Sequence, residues 1–193
     1  MSDVLSYLLS LDKLKELLAS EILPHIEDNT TKHAAVLIVI YGQEIKTIMT
    51  EKPKTMQLHA GEISFPGGKT AEDDEDLLDT AIRETSEEIS LQIRRQDVIG
   101  QLKPVRTRNS GFTIIPFVAI LDEIPSLRPN SEVEEILYIP VIPLLRTLSI
   151  DDDQDHRSLF EAYKLTYQDK TVWGASARML KQIFDICRQN DLF

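Results

Sequence analysis

The run AAVLIVIY at residues 34–41 limits most strongly how this chain can fold. Eight apolar residues fall far short of the roughly 20 a helix needs to cross a bilayer, and their β-branched content favours a strand in a buried sheet. EIKTIMT (44–50) and GEISF (61–65) read as further strands, with Gly42 and Gln43 as a tight hairpin turn between the first two. DVIGQL, FTIIPFVAIL and ILYIPV continue the β pattern beyond residue 96. Helical spacing brackets these strands. Val4, Leu8, Leu11, Leu14, Leu18 and Ile22 repeat through residues 3–23 and stop at Pro24. Leu78, Ile82, Thr85 and Ile89 line one stripe of residues 73–89, and residues 175–189 form a last amphipathic helix. The order is α, then β with one embedded helix, then β and α, which predicts a mixed α/β (α+β) sandwich.

A chain of 193 residues, 42% hydrophobic and 27% charged, can bury one sizeable core. Its net charge of -11 argues against a nucleic-acid partner, because that affinity comes from counterions released by Lys and Arg. An anionic substrate would need local help, and a divalent cation held by clustered carboxylates supplies it. The single cysteine, Cys187, allows no internal disulfide. With no membrane span and no cationic leader in the first 30 residues, a cytoplasmic protein is expected.

The chemistry is concentrated in two stretches, GEISFPGGKT at 61–70 and RETSEE at 83–88. Glu84 with Glu87 and Glu84 with Glu88 are i,i+3 and i,i+4 pairs, and such like charges repel by about 0.2–0.5 kcal/mol each. At 100° per residue Glu84, Glu87 and Glu88 share a sector about 100° wide, separated from the apolar stripe by Ala81. Either this face is solvated, with Arg83 screening Glu87, or a cation belongs there. Two lookalikes fail. A phosphate-binding P-loop would need glycine where Ile63 stands, and Pro66 removes an N–H from the cradle. DDDQD at 151–155 suggests an EF-hand loop, yet His156 occupies the glycine position and Ala162 that of the closing glutamate.

Taken together, the glycine pair and RETSEE resemble the box of the Nudix hydrolases: glycine, five residues, glutamate, seven residues, then R-E-U-x-E-E-x-G-U, where U is bulky and aliphatic. Arg83, Glu84, Glu87, Glu88 and Leu91 fall in register, while Thr85 and Ser90 replace an aliphatic residue and a glycine. One extra residue between Gly68 and Arg83 puts the early acid on Asp74 or Glu75. IMTEKPKTMQLHAGEISFPGG at 48–68 is similar to the segment that precedes the box in the branch hydrolysing coenzyme A and related pyrophosphates. It matches through Thr50, His59, Gly61, Glu62, Phe65, Pro66, Gly67 and Gly68, with Glu51 and Lys52 where an arginine is usual. Residues 106–121, 131–145 and 172–180 resemble later segments of that branch, so the similarity spans about residues 33–182.

The resemblance implies a Nudix-type α/β/α sandwich with a mixed sheet over residues 31–193, preceded by a helical extension over 1–30 that caps the domain or makes a dimer contact. It implies a metal-dependent pyrophosphohydrolase acting on a small nucleoside diphosphate, coenzyme A or a derivative, as monomer or homodimer. ADP-ribose or another conjugate is the alternative substrate, and a non-catalytic nucleotide-binding module the alternative function. Mg²⁺ or Mn²⁺ would be held by Glu84, Glu88 and Glu87 with the backbone of Gly68, and the catalytic set is Glu87, Arg83 and Glu88. Arg83 would hold Glu87, or Asp74 and Glu75. His59, Lys52, Lys54, Lys69 and Arg108 are candidates for substrate phosphates, and Phe112 or Trp173 for a base. Glu132 or Glu134 could supply a general base, although a solvated face is the plainer reading of both.

Overall fold

The computed structural model describes residues 10–25, 31–55, 60–107, 111–153 and 162–193. In chain order the elements are α1 (Leu11–Leu18), β1 (Lys32–Tyr41), β2 (Lys46–Glu51), β3 (Ile63–Ser64), β4 (Gly67–Lys69) and α2 (Leu77–Ile89). There follow β5 (Val98–Gln101), β6 (Val105–Arg106), β7 (Phe112–Leu121), β8 (Glu135–Pro140), α3 (Val141–Leu145), β9 (Ser149–Ile150), β10 (Tyr163–Tyr167), β11 (Lys170–Val172) and α4 (Gly174–Gln189).

The two long apolar runs form the centre of the sheet. β1 and β7 pair in parallel over ten residues, Lys32 with Phe112 through Tyr41 with Leu121, and the other pairings are antiparallel, so the sheet is mixed. Both faces are covered, which is why these strands are apolar throughout rather than alternating. Val36, Ile38 and Ile40 face a core shared with α1, α3 and α4, while Ala35, Leu37 and Val39 face α2. Pro116 is tolerated in a central strand because its carbonyl side faces Leu102, between β6, which pairs with Thr113 and Ile114, and β5, which begins pairing at Phe117.

Several boundaries differ from the sequence reading. The first helix covers Leu11–Leu18, capped by Ser10, which accepts the Lys13 N–H, and residues 1–9 lie outside the described residues. Leu14 and Leu18 are buried in the chain's own core, and Ser20 exchanges hydrogen bonds with the Gln101 backbone. The described part of the extension therefore spends its apolar face on its own sheet. The hairpin turn spans residues 42–45, with Ile45 at φ 48°. The stretch read as the strand GEISF keeps only Ile63–Ser64, and Gly67–Lys69 forms an extra strand, because Ala34, Ala35 and Val36 offer it a ladder. A small sheet of β9, β10 and β11 was not anticipated either. Its strands are two to five residues long and half exposed, too short for a period to show.

Candidate active site

Helix α2 begins at Leu77, four residues later than the acidic run suggested, because those acids build the turn that precedes it. Asp76 caps the helix by accepting the Asp79 N–H at 2.9 Å, and Asp74 accepts the Ala71 N–H at 2.8 Å. At the other end Ser90 adopts a left-handed conformation, φ 58°, at the position where the family pattern has glycine. Its hydroxyl donates to the Arg128 carbonyl at 3.1 Å, which offsets part of the strain. Thr85 is buried where an aliphatic residue is usual, and its hydroxyl is satisfied by the Ala81 carbonyl at 2.7 Å.

The three glutamates share a sector of the helix but not an environment. Glu88 is 3% exposed, the Glu84 side chain 19% and the Glu87 side chain 55%. β4 makes the difference. The Gly67 N–H donates to Glu88 Oε2 at 3.2 Å, and a β-carbon on Gly68 would lie 2.5 Å from the Glu84 carboxyl carbon. The glycine pair therefore lets a strand lie directly on two carboxylates. Gly67 has no alternative, since a β-carbon there would lie 2.2 Å from the Ala35 carbonyl oxygen.

Arg83 sorts the remaining acids. Its Nε and NH2 donate to the two oxygens of Asp74 at 2.8 and 3.0 Å, a bidentate fork. NH1 donates to Glu84 at 3.0 Å and Glu87 at 3.2 Å, and NH2 also reaches the Lys69 carbonyl at 3.0 Å. Of the two candidates for the early acid of the box, Asp74 is therefore the one that Arg83 holds, and Glu75 stays exposed. The fork, helped by the Ala71 N–H and the Thr80 hydroxyl, holds the Asp74 carboxyl down to about 2.

Burial pushes the Glu88 carboxyl up to about 7, against the pull of Lys52 and the Gly67 N–H, and with a further push from Glu84 and Glu132. Burial also raises Glu84, with Arg83 opposing and Glu87 and Glu132 adding to the rise. Among the described residues no three His, Cys, Asp or Glu side chains converge on one point. The carboxylates instead turn to nearby donors, Glu84 and Glu87 both to Arg83 and Glu88 to Gly67. The donor set nevertheless suits a hard divalent cation: two partly desolvated carboxylates one helical turn apart, each with a second oxygen free of hydrogen bonds among the described residues.

Lys52 is half-buried, with its charge reaching Glu88, Lys54 is exposed, and Lys69 stands over the Phe112 ring at 5.4 Å. His59 and Arg108 lie outside the described residues. Trp173 caps α4 and is half-buried. Glu132 and Glu134 are both exposed on the loop before β8, and Glu132 is the one whose charge raises both Glu84 and Glu88. Glu51, at the place of the usual arginine, is buried and paired with Lys170, which also holds Glu135 at 2.9 Å. Nothing in the spacing of Glu51 and Lys170 foretold that pair.

A helix carrying REXXEE against a Gly-Gly strand on a mixed sheet defines the Nudix class. The NUDIX domain model matches residues 31–163, and the chain belongs to the Nudix hydrolase family, which acts on phosphoric anhydride bonds and generally uses divalent metal ions. It is 32% identical over 168 residues to a Nudix hydrolase of Photorhabdus laumondii called NudL, itself described as uncharacterised, covering 82% of this chain and 86% of that one. The NudL protein of Yersinia pestis is 31% identical over 82% of this chain and 81% of its own length, and it too is described as uncharacterised. The fold matches a MutT/nudix family protein from Enterococcus faecalis with a TM-score of 0.58 at 13% identity, over 97% of this chain and 74% of that one. It also matches a MutT protein from Methanosarcina mazei with a TM-score of 0.56 at 18% identity, over 86% and 99%. Among the described residues no helix is long and apolar enough to cross a membrane.

Proposed function

We propose that this Nudix hydrolase is a divalent-metal-dependent pyrophosphohydrolase that cleaves the diphosphate of coenzyme A or a derivative, giving phosphopantetheine and adenosine 3′,5′-bisphosphate. One observation carries the metal-dependent part: Glu84 and Glu88 are an adjacent carboxylate pair held under β4 with raised pKa values, an arrangement costly without a cation. The match of residues 48–68 to the pattern of the coenzyme A branch supports the choice of substrate.

Held by Glu84 and Glu88, with Glu87 and the Gly68 carbonyl as further oxygen donors, Mg²⁺ or Mn²⁺ would offset charge on the phosphoryl oxygens and acidify a bound water. Arg83 fixes Glu84 and Glu87 from behind while anchored on Asp74, so the carboxylates keep their orientation when charge accumulates. Glu87, the most exposed of the three, would accept a proton from water, with Glu132, whose charge reaches Glu84 and Glu88, as the alternative base. Lys52, whose charge reaches Glu88, would meet the substrate phosphates, with Lys69, His59 and Arg108 as further candidates. Residues 31–193 form the hydrolase domain in this reading, and residues 1–30 its extension.

A second reading, a nucleoside diphosphate conjugate such as ADP-ribose, is favoured by Glu51. A buried carboxylate paired with Lys170 cannot serve an anionic group as the usual arginine would. The test is hydrolysis of coenzyme A beside ADP-ribose with Mg²⁺ or Mn²⁺, products identified by mass, and Glu88→Gln as control. Phosphopantetheine formed by the wild type alone supports the first reading, and cleavage of ADP-ribose alone selects the second. Metal binding without turnover of any pyrophosphate would leave a nucleotide-binding module.

A further inference from the structure

Beside the carboxylates lies a cavity of about 560 Å³ that Glu84, Glu87 and Glu88 do not line. It sits where β1 and β7 begin, with Lys32, His33, Lys69 and Phe112 on one side and residues 74–77 on the other. Its volume falls in the range of about 300–1,000 Å³ typical of small-molecule sites.

The pairing of the strands concentrates positive charge there. Lys32 and Phe112 are register partners across the parallel pair, and Lys69 pairs with Ala34 two residues along β1. The Lys32 and Lys69 ammonium groups consequently stand over one ring, 5.9 and 5.4 Å from the Phe112 centroid. Neither forms an ion pair among the described residues, although three acids line the same cavity. Those acids are largely engaged elsewhere. Asp74 is held by Arg83 and Asp76 by Arg95, which leaves Glu75 exposed to water. Two ammonium groups that line one cavity, each resting on the same ring and neither ion-paired among the described residues, suit an anionic ligand. Arg83 joins this cavity to the carboxylates, since it touches both Glu84 and the Lys69 carbonyl at 3.0 Å.

We infer that the cavity is a subsite for a phosphate monoester on the nucleoside half of the substrate, held by Lys32 together with Lys69. This rests on the hydrolase reading and narrows it: the substrate is a nucleoside diphosphate derivative with an additional phosphate on its ribose. The missing arginine in the 48–68 segment is then compensated from β1 and β4, on the other side of the glycine pair.

The test is equilibrium binding, measured by calorimetry with no divalent metal present. Adenosine 3′,5′-bisphosphate and AMP are titrated into the wild type, Lys32→Ala and Lys32→Arg, with thermal melting to verify folding. The wild type should bind the bisphosphate about tenfold or more tighter than AMP, the expected scale for charge-assisted contacts with a phosphate. Lys32→Ala should bring that ratio within about threefold, and Lys32→Arg should restore it, because the arginine keeps the charge. Equal binding of the two nucleotides by the wild type, no binding of either, or a ratio that survives Lys32→Ala would overturn the subsite. Equal weakening of both ligands in Lys32→Ala would do the same, since it would mark a structural role. Failure of the hydrolase reading registers separately, as an absence of products from any pyrophosphate with metal while the bisphosphate preference persists.

Discussion

Glu84 occupies the space that a side chain at Gly68 would need, with its carboxyl atoms 2.5–2.7 Å from the point where a β-carbon would stand. Gly68→Ala must therefore push Glu84 aside, while the backbone at Gly68 can stay where it is. If Glu84 holds the metal as proposed, turnover of a pyrophosphate should fall about 10–100-fold, with a stability loss of about 1 kcal/mol. Gly67→Ala meets the backbone of Ala35 and Val36 instead, and should cost about 3 kcal/mol or more in chemical denaturation. The ratio of activity loss to stability loss distinguishes the two positions.

Arg83 and Asp74 form a bidentate pair that only a planar fork can make. Arg83→Lys keeps the charge and loses the fork, and should lower activity about 10–100-fold with binding of the cation weakened in parallel. Asp74 carries a carboxyl held down to about 2, below the value of about 3.9 expected in the unfolded chain. Its contribution to stability is therefore present above about pH 4 and lost as pH falls toward 2, and with solvent screening it is of order 1 kcal/mol. Asp74→Asn should remove that portion of the acid limb of a stability–pH profile.

Glu88 has the opposite sign. Its carboxyl is raised to about 7 in the folded protein, so between about pH 4.5 and 7 the native state binds more protons than the unfolded one. Stability of the metal-free protein should fall across that interval by up to about 3 kcal/mol, and Glu88→Gln should flatten the profile. Excess Mg²⁺ should reverse part of the fall in the wild type and none of it in Glu88→Gln.

The sector shared by the three carboxylates was legible in residues 83–88, because helical periodicity fixes direction around an axis. Depth was not legible. A helical wheel places Glu84, Glu87 and Glu88 in one sector, whereas their exposure depends on β4 lying across two of them, and Gly-Gly-Lys has little strand propensity of its own. The ladder with Ala34–Val36 makes it a strand. Likewise the choice of Asp74 over Glu75 turned on the course of a turn, and the Glu51–Lys170 pair on a small sheet whose strands are too short to show a period.

The most direct test of the central claim is calorimetric titration of Mn²⁺ into the metal-free protein at pH 7, in buffers of different ionisation enthalpy. Burial raises the Glu88 carboxyl to about 7, so binding to the wild type at that pH should release protons. The double variant Glu84→Gln/Glu88→Gln should bind at least about 100-fold more weakly with no such release. Equal affinity in the two proteins, or no binding to the wild type, would contradict the assignment of Glu84 and Glu88 as the metal-holding pair.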